Sequence, residues 1–233
     1  MLAGRVRYEQ PARGYRTGIE PVLLAAVCPA RAGERVLELG TGAGAALLCL
    51  LARVPGVMGV GVEIDPAMVA IARANLAANA ASGLSIVRAG ATALPDLGLF
   101  DHAIANPPWH ASGSTPSPVA ARQRAKQAVP GLLDAWTDAA ARQLQPGGTM
   151  SLVLPAGAAA AGYHALESAG VGAPILFPLW PRPGVAARLI LMQAIRGARG
   201  PARILPGAAL HDGPGWSAWA DSVLRDGAAI PLS

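Results

Sequence analysis

Between Arg35 and Arg53 the chain passes from a short apolar run, Arg35–Leu39, directly into Gly40-Thr41-Gly42-Ala43-Gly44 and then into a helical stretch beginning near Ala45. Alternate glycines at such a junction permit positive φ and remove side chains that would hold a ligand away from the backbone. The alternation continues downstream. Val57–Ile64 reads as a strand stopped by Asp65-Pro66, and Ala67–Asn79 as a helix with proline in its first turn. Leu84–Arg88 and Phe100–Ala105 are further strands. Leu132–Leu144 is a helix ending at the turn Gln145-Pro-Gly-Gly148, followed by a strand at Thr149–Leu154 and a helix over about Ala156–Ala169. Short apolar strands alternating with helices predict an α/β fold with a mostly parallel sheet covered on both faces.

The last two strands, Ile175–Trp180 and Arg188–Ile195, are separated only by Pro181-Arg-Pro-Gly184 and the few residues after it. No helical crossover fits there, so these strands pair antiparallel and give the sheet a reversed edge hairpin. Residues 1–30 form an N-terminal segment whose helix, Val22–Cys28, packs over the sheet. Residues 31–196 make the main domain, and 197–233 a Gly/Pro-rich tail packed on it, with a short helix at Ser217–Arg225. Trp216 and Trp219 in that tail read as packing residues.

Composition narrows the class of partner. Hydrophobic residues make up 52% and charged residues 14%, which excludes a disordered chain. With aromatics at only 4%, the core has to be built from Ala, Val, Leu and Ile. Nineteen basic against fourteen acidic residues give a formal charge of +5, which fits a polyanionic partner and also plain solubility. Cys28 and Cys49 lie in apolar runs with no metal-ligand spacing and read as buried small side chains in a reducing compartment. No metal site is expected. The N-terminus lacks a continuous apolar h-region, and Pro21–Pro29 and Ala45–Ala52 fall short of the ~18 residues that span a bilayer. A cytoplasmic protein is expected.

Two constellations carry chemistry. In the first, Glu38 precedes the glycine turn, where a carboxylate suits a cationic ligand better than a pyrophosphate. The lysine and Ser/Thr of a phosphate-binding P-loop are missing. The next strand ends in Gly61-Val-Glu63-Ile64-Asp65, placing an acidic side chain where it can accept from both hydroxyls of a ribose. Asp65 before Pro66 is the better helix cap, which leaves Glu63 free for that role.

The second constellation is Asn106-Pro107-Pro108-Trp109 at the end of the Phe100–Ala105 strand. Two prolines remove N–H donors and fix the carbonyls in direction. The Asn106 side-chain oxygen and the Pro107 carbonyl can both accept from one NH2 group, while Trp109 offers a face for a planar acceptor. A planar amine is a poor nucleophile because its lone pair is delocalised. Two acceptors drawing on its hydrogens favour the pyramidal form, so the lone pair can meet an electrophilic methyl group without a general base.

On these residues the sequence resembles the class I S-adenosylmethionine-dependent methyltransferases, in particular the amino-methyltransferases with an Asn-Pro-Pro-aromatic motif. Within them it is most similar to the tRNA1(Val) adenine-N6 methyltransferase-like family. Gln10–Ala25, Leu144-Gln-Pro-Gly-Gly148 and Leu210-His-Asp-Gly-Pro resemble other segments of that family. The resemblance implies a Rossmann-like seven-stranded sheet with S-adenosyl-L-methionine held by Glu38, Gly40, Thr41, Gly42, Gly44, Glu63, Ile64, Gly90, Ala91 and Asn106. It implies catalysis by Asn106, Pro107, Pro108 and Trp109, with adenine N6 of an RNA, most naturally tRNA, as acceptor. Gly90 stands where the family usually carries an acidic residue for the cofactor's adenine, and Trp109 where Tyr or Phe is commoner. Thr17-Gly18 stands where bulkier residues are usual.

Substrate contacts are expected from Tyr15, Arg16 and Thr17 and from His110 in the loop after Trp109. Arg122, Arg124 and Lys126 add a stripe that either holds phosphates or is a solvated helix face. Arg5, Arg7, Arg13 and Arg16 form a second basic segment, and Arg182 with Arg188 a third, beside the hairpin. The same Asn-Pro-Pro-aromatic set also serves protein glutamine N5-methyltransferases. Those usually carry a separate helical N-terminal domain, whereas about 30 residues precede the sheet here. A non-catalytic nucleotide-binding module would need only the glycine turn and leaves Asn106 and Trp109 unexplained.

Overall fold

The computed structural model describes residues 1–11, 17–108 and 131–232. Strands β1 (Arg35–Leu39), β2 (Met58–Glu63), β3 (Leu84–Arg88), β4 (Phe100–Ala105) and β5 (Leu144–Pro155) run parallel. Among the described residues the α-helices are α1 (Glu20–Val27), α2 (Ala45–Arg53), α3 (Pro66–Ala78), α4 (Leu132–Arg142), α5 (Ala159–Ser168) and α6 (Ala218–Leu224). Leu37, Ile104 and Leu152, on three of these strands, are at most 1% exposed, as a sheet covered on both faces requires.

One hydrophobic cluster joins the sheet to α1, α2, α3 and α6, and the other joins it to α4 and α5. Ala46, Ala72, Ala140 and Ala165 lie at these contacts with at most 1% exposure, so the small side chain brings backbone close to backbone where larger residues would not fit. Cys28 and Cys49 lie in the first cluster, and burial pushes both thiols up to about 12.

The sheet order is β3-β2-β1-β4-β5-β7-β6-β8, with β9 also paired to β6. Here β6 is Val171–Trp180, β7 Leu189–Arg196, β8 Arg203–Ile204 and β9 Ala208–Ala209. The antiparallel hairpin is present, but the reversed strand β7 lies inside the sheet, between β5 and β6. Proline explains the placement. Pro174 and Pro178 can donate no ladder bond, which confines β6 to a place with an open side, whereas Ile190-Leu-Met192 is proline-free and buried between two neighbours. The sheet also exceeds the expected seven strands, because the tail lays two short strands along the open side of β6 and covers an edge that would otherwise expose unpaired groups. The Gln145–Gly148 turn is an irregularity inside β5: Leu144 pairs with Phe100, and pairing resumes at Thr149 with His102.

Asn75 of α3 and Asn79, which caps its end, tie the N-terminal segment to the body of the domain. The Asn75 side chain accepts from the Glu9 N–H at 2.9 Å and donates to the carbonyls of Glu9 at 2.8 Å and Ala43 at 2.9 Å. Asn79, one turn later, exchanges bonds of 3.0 and 2.7 Å with the backbone of Arg7. The tail is tied in as well, through Ile230 N–H to the Ala26 carbonyl at 2.8 Å and a stacked Phe177–Trp219 pair. Trp219 lies in α6, but Trp216 precedes that helix, in β11 (Gly215–Trp216), which pairs with β10 (His211–Asp212). Trp216 is 37% exposed and stacks on His211, so it is not the packing residue that helical spacing predicts. Among the described residues no helix is long and apolar enough to cross a membrane.

Candidate active site

The carboxyl ends of three adjacent strands bring the two constellations together. Leu39 of β1 stands in register with Val62 of β2 on one side and Ala105 of β4 on the other. The next residues are therefore Gly40, Glu63 and Asn106, side by side on neighbouring strands about 4.8 Å apart. Loop ends outside the carboxyl edge of a parallel sheet are where ligands gather in such folds.

Gly40, Gly42 and Gly44 take φ values of +65°, +57° and +85°, which disfavour any other residue. At Gly40 space is short as well: a Cβ there would lie 2.6 Å from Cη2 of Trp136 in α4. Trp136 is thus a wall of the turn that sequence reasoning missed; its only signal was that it is the one aromatic in α4. Gly61 was missed too. A Cβ on it would lie 2.8 Å from Cγ2 of Thr41, so the bare strand makes room for that side chain.

Glu38 is 5% exposed, and its Oε2 accepts from the Thr41 hydroxyl at 2.6 Å. Burial pushes its carboxyl up to about 8, against the opposing pull of the hydrogen bonds from Thr41 and the Leu47 backbone, and the nearby Glu63 charge adds to the rise. Among the described residues it has no cationic partner. A buried acid shifted in this direction holds its proton to higher pH than a free carboxylate does.

Glu63 accepts from the Gly42 N–H at 2.9 Å through one oxygen and from the Ile64 and Asp65 N–H groups at 2.8 and 2.9 Å through the other. It pins the glycine turn to the end of β2. Asp65 caps α3, accepting from Ala67 N–H at 2.8 Å with Pro66 in the first turn, as the sequence predicts. Ile64 is 68% exposed beside this site. Gly90 and Ala91 follow β3 in a turn closed by the Ala93 N–H on the Gly90 carbonyl at 3.0 Å. A Cβ at Gly90 would meet only Ile64, at 3.7 Å, so space does not dictate the glycine.

Pro107 is buried, while Asn106 and Pro108 are half-buried at the mouth. Thr17 is joined to the N-terminal segment through a 2.7 Å bond with the Tyr8 hydroxyl. Tyr15, Arg16, Trp109, His110, Arg122, Arg124 and Lys126 lie outside the described residues. Among the described residues no three His, Cys, Asp or Glu side chains come together as a metal site.

This sheet order, with a glycine turn after β1 and an acid at the end of β2, defines a Rossmann-like methyltransferase fold. The chain belongs to the methyltransferase small domain family, whose family model matches residues 20–166. It is 34% identical over 137 residues to a release factor glutamine methyltransferase of Rhodospirillum rubrum, a match covering 58% of this chain and 40% of that one. It is 33% identical over 144 residues to a tRNA1(Val) (adenine(37)-N6)-methyltransferase of Tolumonas auensis, covering 60% and 59%. The chain thus matches 40% and 59% of the lengths of these two relatives. Among solved structures, a predicted O-methyltransferase of Agrobacterium tumefaciens is similar at 25% identity and a TM-score of 0.73, covering 91% of this chain and 98% of that one.

S-adenosyl-L-methionine is the cofactor of this family and fold. The residues present fit it. A buried acid without a cation, glycines that clear the approach to the turn, and an acid at the end of the next strand match a ligand with a cationic amino acid end and a ribose.

Proposed function

We propose that the protein is a methyltransferase that modifies an exocyclic nucleobase amine, adenine N6 in RNA and specifically in tRNA. The alignment of Glu63, Gly40 and Asn106 on three adjacent strand ends supports this reading best, because it brings Asn106-Pro107 beside the glycine turn. When bound, the cofactor supplies an electrophilic methyl group. Glu38 and Glu63 hold and orient it. The Asn106 side-chain oxygen and the Pro107 carbonyl would accept from the acceptor NH2 and favour its pyramidal form, so that the nitrogen lone pair can take the methyl group as its bond to the sulfonium sulfur breaks, the sulfur leaving as a neutral thioether and the amine proton going to solvent. The excess of arginine and the likeness to a tRNA methyltransferase support RNA as the acceptor.

The Rhodospirillum rubrum relative favours a second reading, a protein glutamine amide, which is also planar and deactivated. A nucleoside mass spectrum of RNA from cells with and without the protein separates the two. Loss of N6-methyladenosine from the tRNA fraction is expected. Unchanged nucleosides together with a lost methylglutamine peptide would move the acceptor to protein.

Glu63→Ala is expected to weaken cofactor binding about tenfold or more in titration calorimetry, by removing the ribose partner and the brace on Gly42 together. Unchanged affinity would take Glu63 out of the site.

A further inference from the structure

The sheet carries a second concave surface on the same edge as the glycine turn. Pro155, the last residue of β5, pairs with Leu189 at the start of β7, so the β6–β7 connection stands at the carboxyl edge. Beside it lies a groove of about 550 Å³ lined by Trp180, Pro183, Val185, Ala186, Ala208 and Ala209. The tail builds one wall. Leu210 N–H donates to the Trp180 carbonyl at 2.7 Å and His211 N–H to the Pro181 carbonyl at 3.1 Å. Two residues beyond Ala209 in the same tail, the His211 and Trp216 rings stack on each other with centroids 4.3 Å apart and an interplanar angle of 16°. Arg182 and Arg188 are exposed on the connection itself, and among the described residues neither enters an ion pair. Val185 leaves 46% of its surface to solvent inside this frame.

An apolar slot with exposed Arg182 and Arg188 on the connection that supplies one of its sides, neither in an ion pair among the described residues, complements a nucleotide: the base takes the apolar walls and the phosphates take the arginines. The sheet order places the groove three strands from Asn106, through β5, β7 and β6. At about 4.8 Å per strand that is about 15 Å to the side, a span that a few nucleotides of one strand cover.

We propose that this groove is a subsite for a nucleotide flanking the acceptor adenine in the same RNA strand, with Arg182 and Arg188 on its phosphates. The proposal rests on the RNA reading above and adds a determinant of which RNA is chosen.

The test uses the full chain and total tRNA from cells lacking the protein, with the variants Val185→Glu and Arg182→Ala/Arg188→Ala. All three positions are exposed, so folding is checked by melting and is expected to match the parent. Val185→Glu should raise the KM for tRNA at least tenfold while kcat at saturating tRNA and cofactor affinity stay unchanged. The double variant should flatten the slope of log affinity against log salt by about 1.4, from about 0.7 for each of two single-strand phosphates. If the parent methylates tRNA and both variants match it in KM and salt slope, the subsite is overturned and the RNA reading stands. If the parent leaves tRNA untouched and methylates a glutamine peptide, the RNA reading fails and the subsite with it. Loss of self-association in the variants with unchanged tRNA kinetics would overturn the subsite in favour of a contact between copies.

Discussion

Replacing Asn106 by alanine is expected to lower methyl-transfer turnover by about 10²–10³ while the cofactor Kd changes less than twofold. The asymmetry follows from the role proposed for the side chain. In the proposed reaction its oxygen is half of the acceptor pair that draws on the amine, and that pull counts only as the nitrogen becomes pyramidal. The other half, the Pro107 carbonyl, stays in place because Pro107 is buried and its ring restricts the backbone. Single-turnover rates with saturating cofactor, alongside calorimetry, provide the check. Equal losses in rate and cofactor affinity would make Asn106 a structural residue of the β4 end.

Glu38→Gln carries the second large effect, and it has two signs. A buried acid raised from 4.5 to about 8 keeps its proton in the folded chain while the unfolded chain releases it. Its contribution to stability is therefore neutral below about pH 4.5, grows increasingly unfavourable as pH rises toward 8, and levels off above that. Over this window the penalty reaches a few kcal/mol, because each tenfold difference in proton affinity between the folded and unfolded chain costs about 1.4 kcal/mol. The glutamine variant has no such titration, so without cofactor it should melt higher than the parent at pH 8 and about equally near pH 4.5.

Cofactor binding should move the other way. A cationic ligand is met by the carboxylate, so binding releases the proton, and affinity of the parent should rise with pH between about 6 and 7.5 by up to tenfold per pH unit. The variant should bind about 10²-fold more weakly, with this pH dependence gone. Calorimetry in buffers of different ionisation enthalpy reads the released proton directly. A parent affinity that is flat across that range would take Glu38 out of the cofactor's contacts.

The site was legible where its signals are local. Glycines at positive φ, an acid ending a strand ahead of a capped helix, and prolines after an asparagine each act through a few neighbouring residues. The strands Arg35–Leu39, Leu84–Arg88 and Phe100–Ala105 were readable for the same reason, since each is a short apolar run with a stop on both sides. Trp136 and Asn75 were not legible in this way. Trp136 reaches Gly40 from nearly a hundred residues further along the chain, and Asn75 joins Glu9 to Ala43, so neither role exists before the sheet is assembled. His102 and Glu34 belong with them. Their 2.9 Å contact holds the Glu34 carboxyl below its usual range against the opposing effect of burial, and it forms because β4 lies next to β1.

The sequence by itself determined the order of strands and helices from β1 to β7, the residue types at the two strand ends and the chemistry those types allow, because periodicity, caps and turn residues act over a few positions. Only the tertiary structure decided that β7 enters the middle of the sheet, that the tail extends the open side of β6, and that Gly40, Glu63 and Asn106 stand in one row. Those outcomes depend on which strand edge remains unpaired and on the register between strands far apart in the chain, quantities that no single segment contains.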